Sequence, residues 1–290
     1  MHTPCNLGIS AHSAGKPLKL ENDSLLLFFM TADNTTKLEM HIVKTYSGLR
    51  NGIGLLAIAL PLILSIWGYV KYGLPPQDSI SAYYHAFVPT GSPPGLLDVD
   101  GNGVMRNWFV GILWAIGVFL VLYRGYGRRE NTALNYAGVF LIIVAMFPMG
   151  WTCGSTCPKV STHGVFAILF FLAIGYVCIF RSGDTLPLIS NINIRNFYKR
   201  WYRIIGLAMW VFPVVVAILE YFKLQPFGTR TVFFIEAAGI WTFAAFWLLK
   251  SREINSTKAD QAVIQGDLVR GPKMEGLSYW LDTSPHHLKE

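Results

Sequence analysis

Six residues of types that take part in catalysis and ligand binding stand at the edges of long apolar segments. Neutral imidazole can transfer a proton near pH 7, and a serine close to it can contribute its hydroxyl to the same polar site. No Gly-x-Ser-x-Gly elbow is present, so the sequence gives no support to serine hydrolysis of the usual kind. A carboxylate can orient an imidazole, and a guanidinium can hold an anionic head group. We therefore predict catalytic roles for Ser81, His85, His163 and Glu236, and substrate binding by Arg106 and Tyr84.

Two of these residues also predict a metal site. Histidine nitrogens are common zinc ligands, and bound zinc lowers the pKa of a water molecule to about 7. His85 and His163 are therefore candidate zinc ligands. Cys153 and Cys157 precede His163 in the run WTCGSTCPKVSTH. They predict a disulfide if this segment faces an oxidising space, and metal binding is the alternative.

Glu236 stands in the apolar run FFIEAAGIW, where a charged group is costly unless it faces other helices or water. Ala237, Ala238 and Gly239 are small enough to let a neighbouring helix approach. Two interpretations follow from this position. Either Glu236 takes part in function, or it is a buried partner of Arg106 that holds two helices together.

The elements that must position these residues are transmembrane helices. Of the 290 residues, 52% are hydrophobic and only 14% are charged, whereas soluble proteins average about 25% charged residues. A helix needs roughly 17 to 25 apolar residues to cross a bilayer, where it must satisfy its own backbone hydrogen bonds. We predict an all-α polytopic bundle with six spans, at residues 51–70, 107–123, 131–158, 164–180, 204–219 and 231–249.

The loops between the predicted spans differ in charge. Basic residues concentrate before the first span, between the second and third, between the fourth and fifth, and after the sixth. By the positive-inside rule, both termini are cytoplasmic and the six site residues lie near the opposite face. The net charge of +7 thus indicates membrane lipids as partners, with no nucleic acid.

The same pattern divides the chain into three parts. Residues 1–44 are polar and predict a disordered N-terminal tail, within which Met40 is a candidate for the true start of the protein. Residues 45–252 contain the six-helix membrane domain. Residues 253–290 predict a polar cytoplasmic tail.

Several features of the chain form a recognisable set: the runs SISAYYH, RNWFVGILWAIGVFLVLYRGYGRREN and FFIEAAGIW, the pair Phe147–Pro148, and a histidine that opens the next segment. In these features, over residues 45–252, it resembles an uncharacterised family of bacterial six-helix integral membrane proteins. The resemblance implies the fold and a location in the bacterial inner membrane, but no reaction.

A second resemblance is limited to the spacing Ser81-x-x-x-His85. It is similar to a motif of the alkaline ceramidases and adiponectin receptors, which hydrolyse a lipid amide or ester with zinc held by histidines. The resemblance implies a metal-dependent membrane hydrolase. The later His-x-x-x-His pair of those proteins has no counterpart in this sequence, which is also one helix short of their usual seven.

These residues favour an outward-facing site that binds or hydrolyses a lipid, another amphiphile or a small molecule. In an enzyme, His85 and His163 would be metal ligands or bases, and Arg106 would hold an anionic head group. Two alternatives remain open at this point. A small transporter would use Glu236 and Glu220 to carry protons or pair with a substrate, and a non-catalytic scaffold or sensor would use the first outer loop as its contact surface.

Overall fold

Helices form almost all of the structure. The computed structural model describes residues 18–86, 103–150, 161–222, 224 and 226–264. Its helices are α1 (Leu18–Leu62), α2 (Gly68–Tyr72), α3 (Val104–Leu122), α4 (Arg128–Met146), α5 (Thr162–Tyr176), α6 (Ile192–Phe222), α7 (Thr231–Thr257) and α8 (Ala259–Ile264). Two turns of π-helix, Ile63–Trp67 and Val177–Arg181, join α1 to α2 and extend α5. Two 3-10 segments, Ser81–Tyr84 and Ser182–Leu188, and one short strand, Pro226–Thr229, complete the described part.

Five helical segments among the described residues are long and apolar enough to cross a membrane. They are Lys37–Tyr72, Met105–Leu122, Thr162–Leu188, Ile192–Leu219 and Gly228–Thr257. Each overlaps one of the predicted spans, so the prediction of a helical membrane protein is confirmed at this level. Large apolar side chains are exposed on these segments, as expected for contact with lipid; they include Leu55, Ile66, Val118, Val211 and Trp241.

The predicted span 131–158 differs most from the structure. Its helix, α4, starts with Arg128, Arg129 and Glu130 and ends at Met146, so its first turn is charged and it is not among the five apolar segments. The end at Met146 has a local cause. Phe147 is extended, at φ −109° and ψ 97°, because a proline at position 148 disfavours helical geometry in the residue before it.

Both predicted tails contain helix. Helix α1 begins at Leu18 and passes through Met40, where the sequence predicts a disordered tail. Neither glycine nor proline occurs between residues 18 and 47, so no residue of a type that breaks helices interrupts it. The chain divides into the compact units Met1–Val43 and Lys44–Glu290. At the other end, α7 continues to Thr257 and α8 follows it.

Helices α3 to α7 pack in sequence order, each against the next. Two of these contacts depend on facing glycines. A Cβ atom at Gly138 of α4 would lie 2.5 Å from the carbonyl oxygen of Gly117 on α3. Between α5 and α6, Gly175 and Gly206 face each other in the same way, with each built Cβ within 3.2 Å of the other residue's oxygen. Small residues at such crossings let helix backbones approach closely.

Helix α1 packs against α7, and the two helices are antiparallel. Gly54 contacts Leu248, and the Ser47 hydroxyl lies 3.4 Å from the Asn255 side-chain oxygen. Aromatic rings fill the core beside this contact: Trp247 is fully buried, and its ring meets that of Tyr123 edge to face at 5.1 Å. One end of the bundle lies at the start of α7, near Thr231, and the other end lies at its last residues, near Thr257.

Candidate functional site

The short segment before Tyr84 is held in place by Glu236, one turn into α7. The Glu236 carboxylate accepts hydrogen bonds from the Ser79 hydroxyl at 2.9 Å and the Ile80 amide at 2.6 Å, and it lies 3.4 Å from the Ser81 amide. These amides stand at the start of the 3-10 segment, where backbone N–H groups have no partner within the helix. A negative charge is favourable at such a position.

His163 joins this segment to the ends of α4 and α5. Its Nε2 atom lies 2.9 Å from the Ser81 hydroxyl oxygen. Its Nδ1 atom lies 2.9 Å from the carbonyl oxygen of Phe147 and 3.1 Å from that of Val144. Carbonyl oxygens only accept, so Nδ1 carries the hydrogen in the neutral ring and Nε2 is left with a lone pair. The Ser81 hydroxyl donates to that lone pair.

The Phe147–Pro148 pair explains why a carbonyl is available to His163. In a continuing helix, the Val144 oxygen would accept from the amide of residue 148. Pro148 has no amide hydrogen, so the Val144 oxygen needs another donor. His163 occupies the first turn of α5 and supplies it. The Ser161 hydroxyl accepts from the Gly164 amide at 3.0 Å and caps this helix, which positions the histidine.

Arg106, Tyr84 and His85 form a second group on the same segment. The Arg106 Nε atom donates to the Tyr84 carbonyl oxygen at 2.9 Å, and its guanidinium carbon lies 4.7 Å from the centre of the Tyr84 ring. The His85 Nε2 atom lies 2.9 Å from the Met149 carbonyl oxygen, which requires a hydrogen on that nitrogen. Arg106 is exposed and Tyr84 is half-buried.

The two groups differ in their access to solvent. His163 is only 7% exposed, and Ser79 is equally buried. Ser81 is half-buried. Its hydroxyl contacts the buried His163, while the residue remains partly accessible to solvent. Burial also raises the pKa of Tyr83, whose hydroxyl lies 3.5 Å from the Gln77 amide and braces the same segment.

The six predicted site residues thus lie on one connected segment or touch it. One detail differs from the sequence interpretation. Arg106 contacts Tyr84 rather than Glu236, so the interpretation of Glu236 as a buried partner of Arg106 is wrong. Glu236 binds the Ser79 hydroxyl and the Ile80 amide of the serine segment. Cys153 and Cys157, the disulfide candidates, lie outside the described residues, as does the side chain of Glu220.

Zinc lacks a ligand set among the described residues. They contain no group of three or more histidine, cysteine, aspartate or glutamate side chains that could hold a metal ion. The two histidine nitrogens that would be expected to face a metal instead hydrogen-bond to a hydroxyl and a carbonyl: Nε2 of His163 and Nε2 of His85. The described donors do not fit zinc.

A second polar cluster, not expected from the sequence, lies at the other end of α7. Lys250 and Glu253 are 2% and 0% exposed and form an ion pair of 2.8 Å. Arg50, Glu130 and Asp260 lie near them, and these five residues are called here the Lys250 cluster. The basic residues at this end suggested only an interfacial flank. The signal that could have found the cluster is the acidic residues placed among them: Glu130, Glu253 and Asp260.

Comparison with protein-family models, curated proteins and solved structures finds no match to this chain.

Proposed function

We propose that the protein is an integral membrane hydrolase of the bacterial inner membrane whose outward-facing site binds and cleaves a lipid or another amphiphile. In this proposal it has six spans and both termini are cytoplasmic. Ser81 is the nucleophile and His163 is its base. The observation that carries the proposal is the 2.9 Å contact between the Ser81 hydroxyl and the lone pair of His163 Nε2.

The ends of α4 support its role as the sixth span. Near its start, Glu130 accepts a hydrogen bond from the Tyr126 amide at 2.9 Å, in the region of the Lys250 cluster. Near its end, the Val144 oxygen contacts His163 in the Ser81 site. Its 19 residues rise about 28 Å, close to the roughly 30 Å of a bilayer core.

The directions of α1 and α7 support the same number of spans. The Phe233 amide donates to the Asp78 carbonyl oxygen at 2.9 Å, so the chain after α2 and the start of α7 share one end of the bundle. An even number of crossings must lie between them. Helices α3, α5 and α6 provide three, and α4 provides the fourth.

The contacts of His163 match what a serine nucleophile needs. The Ser81 oxygen would attack a carbonyl carbon of the substrate while its proton passes to Nε2. The imidazolium formed is stabilised because its Nδ1 hydrogen already points at two carbonyl oxygens, those of Val144 and Phe147. Nε2 then protonates the leaving alcohol or amine. A water molecule, deprotonated by the same nitrogen, releases the acid and restores Ser81.

The remaining predicted residues have supporting roles in this proposal. Arg106 is fixed through Nε, and its two terminal nitrogens are directed at an anionic head group such as a carboxylate or phosphate. The Tyr84 ring supports the guanidinium face. Glu236 and His85 are positioning residues, since each holds backbone or hydroxyl groups of the site. The hydrogen bonds that Glu236 accepts favour this role over proton transport.

The test is covalent labelling of Ser81. Membranes that contain the protein are treated with a long-chain fluorophosphonate, which reacts with serines activated by a base, and the modified peptide is identified by mass spectrometry. We expect one adduct, on Ser81, and no adduct in Ser81→Ala. The matched control is Ser47→Ala, which removes a hydroxyl at the other end of the bundle and should leave labelling unchanged.

Labelling of another serine with Ser81 unmodified would overturn the assignment. So would equal labelling in the parent and Ser81→Ala. If Ser81 is labelled, hydrolysis of fluorogenic esters with neutral and anionic head groups then tests the role of Arg106. Loss of preference for the anionic ester in Arg106→Gln is the expected result.

A further inference from the structure

An open cavity of about 460 Å³ lies between the first turns of α4 and the last residue of α5. Its lining combines positive charge with aromatic rings. The residues that line it are Arg128, Arg129, Thr132, Ala133 and Tyr136 of α4 and Tyr176 of α5. Those of α4 stand three and four positions apart, so they share one face of the helix. The cavity therefore runs along α4 rather than across its end.

The cavity lies toward the end of the bundle that holds the Lys250 cluster. Tyr126 stands just before α4, and its ring centre is 5.8 Å from the Lys250 ammonium. With both termini cytoplasmic, this end faces the inner leaflet, whose anionic lipids attract basic residues. The inference rests on the proposed function for this orientation alone.

Positive charge is concentrated at the start of α4. Arg128 and Arg129 are exposed and occupy the first turn, where the helix dipole adds roughly half a positive charge and disfavours cations. The N-cap residue is Gly127, so the amides of this turn lack the acceptor that a Ser, Thr, Asp or Asn cap supplies. An anion bound here would offset the charge of the guanidinium groups and of the helix start.

Two acidic residues near this turn, Glu130 and Asp184, do not line the cavity. Glu130 is 2% exposed, and its carboxylate accepts from the Tyr126 amide. Asp184 pairs with Arg181 at 3.7 Å. Among the residues that the structure describes, no carboxylate forms an ion pair with Arg128. The cavity therefore keeps a positive charge that favours an anionic ligand.

The cavity continues from the charged turn into the apolar part of α4. Tyr136 lies about 12 Å along the helix axis from Arg128. Its side chain is 58% exposed, and its ring stacks on that of Phe140 with the centres 6.0 Å apart. Val139, on the next turn, is 44% exposed. This depth suits a molecule with an anionic head and hydrocarbon chains, whereas a free phosphate ion would contact only the first turn.

We propose that this cavity binds an anionic phospholipid of the inner leaflet through its phosphate, which Arg128 and Arg129 hold. The acyl chains lie beside the rings of Tyr136 and Tyr176. Guanidinium groups present pairs of N–H donors that match two phosphate oxygens. A zwitterionic phospholipid carries a cation beside its phosphate, which two guanidinium groups disfavour. The site therefore selects lipids with a net negative charge, and the bound lipid is distinct from the substrate proposed for Ser81.

The test is a titration of the full-length protein in detergent with phosphatidylglycerol, in which native mass spectrometry counts the lipids bound to each molecule. Every protein in the titration carries Arg106→Gln, so that the anion-binding group proposed near Ser81 does not contribute. We expect the first phosphatidylglycerol to bind about thirtyfold more tightly than phosphatidylcholine, because each of two arginines at a membrane surface contributes about fivefold.

Two sets of variants separate the cavity from the general charge of this end. Arg128→Gln combined with Arg129→Gln should remove the preference for phosphatidylglycerol. The matched control is Arg200→Gln combined with Arg252→Gln, which removes two exposed arginines outside the cavity and should leave the preference unchanged. Thr132→Trp changes an exposed residue of the lining and keeps both cavity arginines. It should also remove the preference, because the indole fills the cavity.

Equal affinity for the two lipids in the Arg106→Gln protein would overturn the site. Equal loss of the preference in the arginine pair and in its control would overturn it as well, and so would full preference in Thr132→Trp. Glycerol phosphate carries the phosphate without acyl chains and should not displace phosphatidylglycerol; displacement at equal concentration would overturn the lipid as ligand. None of these outcomes depends on the labelling of Ser81, so the lipid site and the proposed function fail separately.

Discussion

His163 has two tasks that can be separated at the level of single atoms. Nδ1 donates to the carbonyl groups at the end of α4, which is a structural task. Nε2 accepts from Ser81, which is the task that the proposed catalysis requires. A substitution that keeps one atom and removes the other can therefore show whether the histidine serves only the fold.

We expect His163→Asn to fold and to lose labelling of Ser81. The asparagine amide nitrogen can take the place of Nδ1, whereas nothing takes the place of Nε2. His163→Ala removes both and leaves the Val144 carbonyl without a donor, which should cost about 1 to 3 kcal/mol of stability. Thermal unfolding in detergent measures the fold, and fluorophosphonate labelling measures the base. Labelling of His163→Asn at the parent rate would show that Nε2 is not required.

The sequence indicated the residue types of the site but not most of their partners. The sequence shows a serine, two histidines and a glutamate near one predicted face of the membrane domain. In the structure these residues lie on one segment or contact it. The partners of His163 and His85 are backbone oxygens, which every residue has, so no residue type points to them. The Arg106–Glu236 pair failed because opposite charge alone does not show which of two nearby acceptors a guanidinium reaches.

Packing between neighbouring helices depends on where glycine permits close approach. Gly138 of α4 faces the backbone of α3, and a backbone oxygen has little freedom to move away from an added methyl group. Gly111 of α3 has nothing within 4 Å of a built Cβ. The two positions therefore form a matched pair for the same substitution.

We expect Gly138→Ala to destabilise the protein by about 1 to 3 kcal/mol, because the methyl group forces α3 and α4 apart. Gly111→Ala should be neutral or stabilise by up to about 1 kcal/mol, since alanine favours helix more than glycine. Unfolding by a denaturing detergent measures the difference between the two variants. Equal stability of both would contradict the close contact at Gly138.

The apolar helices could be predicted because the sequence alone shows the length and the apolar composition of a membrane span. Five predicted segments coincide with candidate spans for this reason. The end of α4 and the helix before residue 44 were misjudged because local rules compete there: a proline ends one element, and an uninterrupted polar run forms another. The Lys250 cluster was missed because charged residues at the end of a span usually indicate an interface.

In the whole molecule, α7 connects two polar clusters of different character. Glu236 and Lys250 are separated by about 21 Å along its axis. At one end the polar groups reach solvent through Ser81 and Arg106; at the other they are buried and balanced by ion pairs. If the bundle crosses the membrane as proposed, the two clusters face different compartments.

We expect cysteines at positions 78 and 252 to react from opposite sides of the membrane. Both positions are exposed, and five crossings separate them if α4 is a span. In a background with serine at positions 5, 153 and 157, Asp78→Cys should react with an impermeant maleimide in intact cells. Arg252→Cys should react only after permeabilisation. Reaction of both from the same side would exclude six spans.

The absence of an amide hydrogen at Pro148 has a consequence for the population of molecules. The neutral imidazole of a free histidine exists as two tautomers, with the hydrogen on Nδ1 or on Nε2. Only the tautomer with the hydrogen on Nδ1 can accept a proton from Ser81 at Nε2. Because the Val144 oxygen lacks its usual donor, the ring of His163 is held in that tautomer. If Ser81 is the nucleophile, as proposed, every folded copy therefore presents the Nε2 lone pair to its hydroxyl, and no proton has to change its position on the ring first.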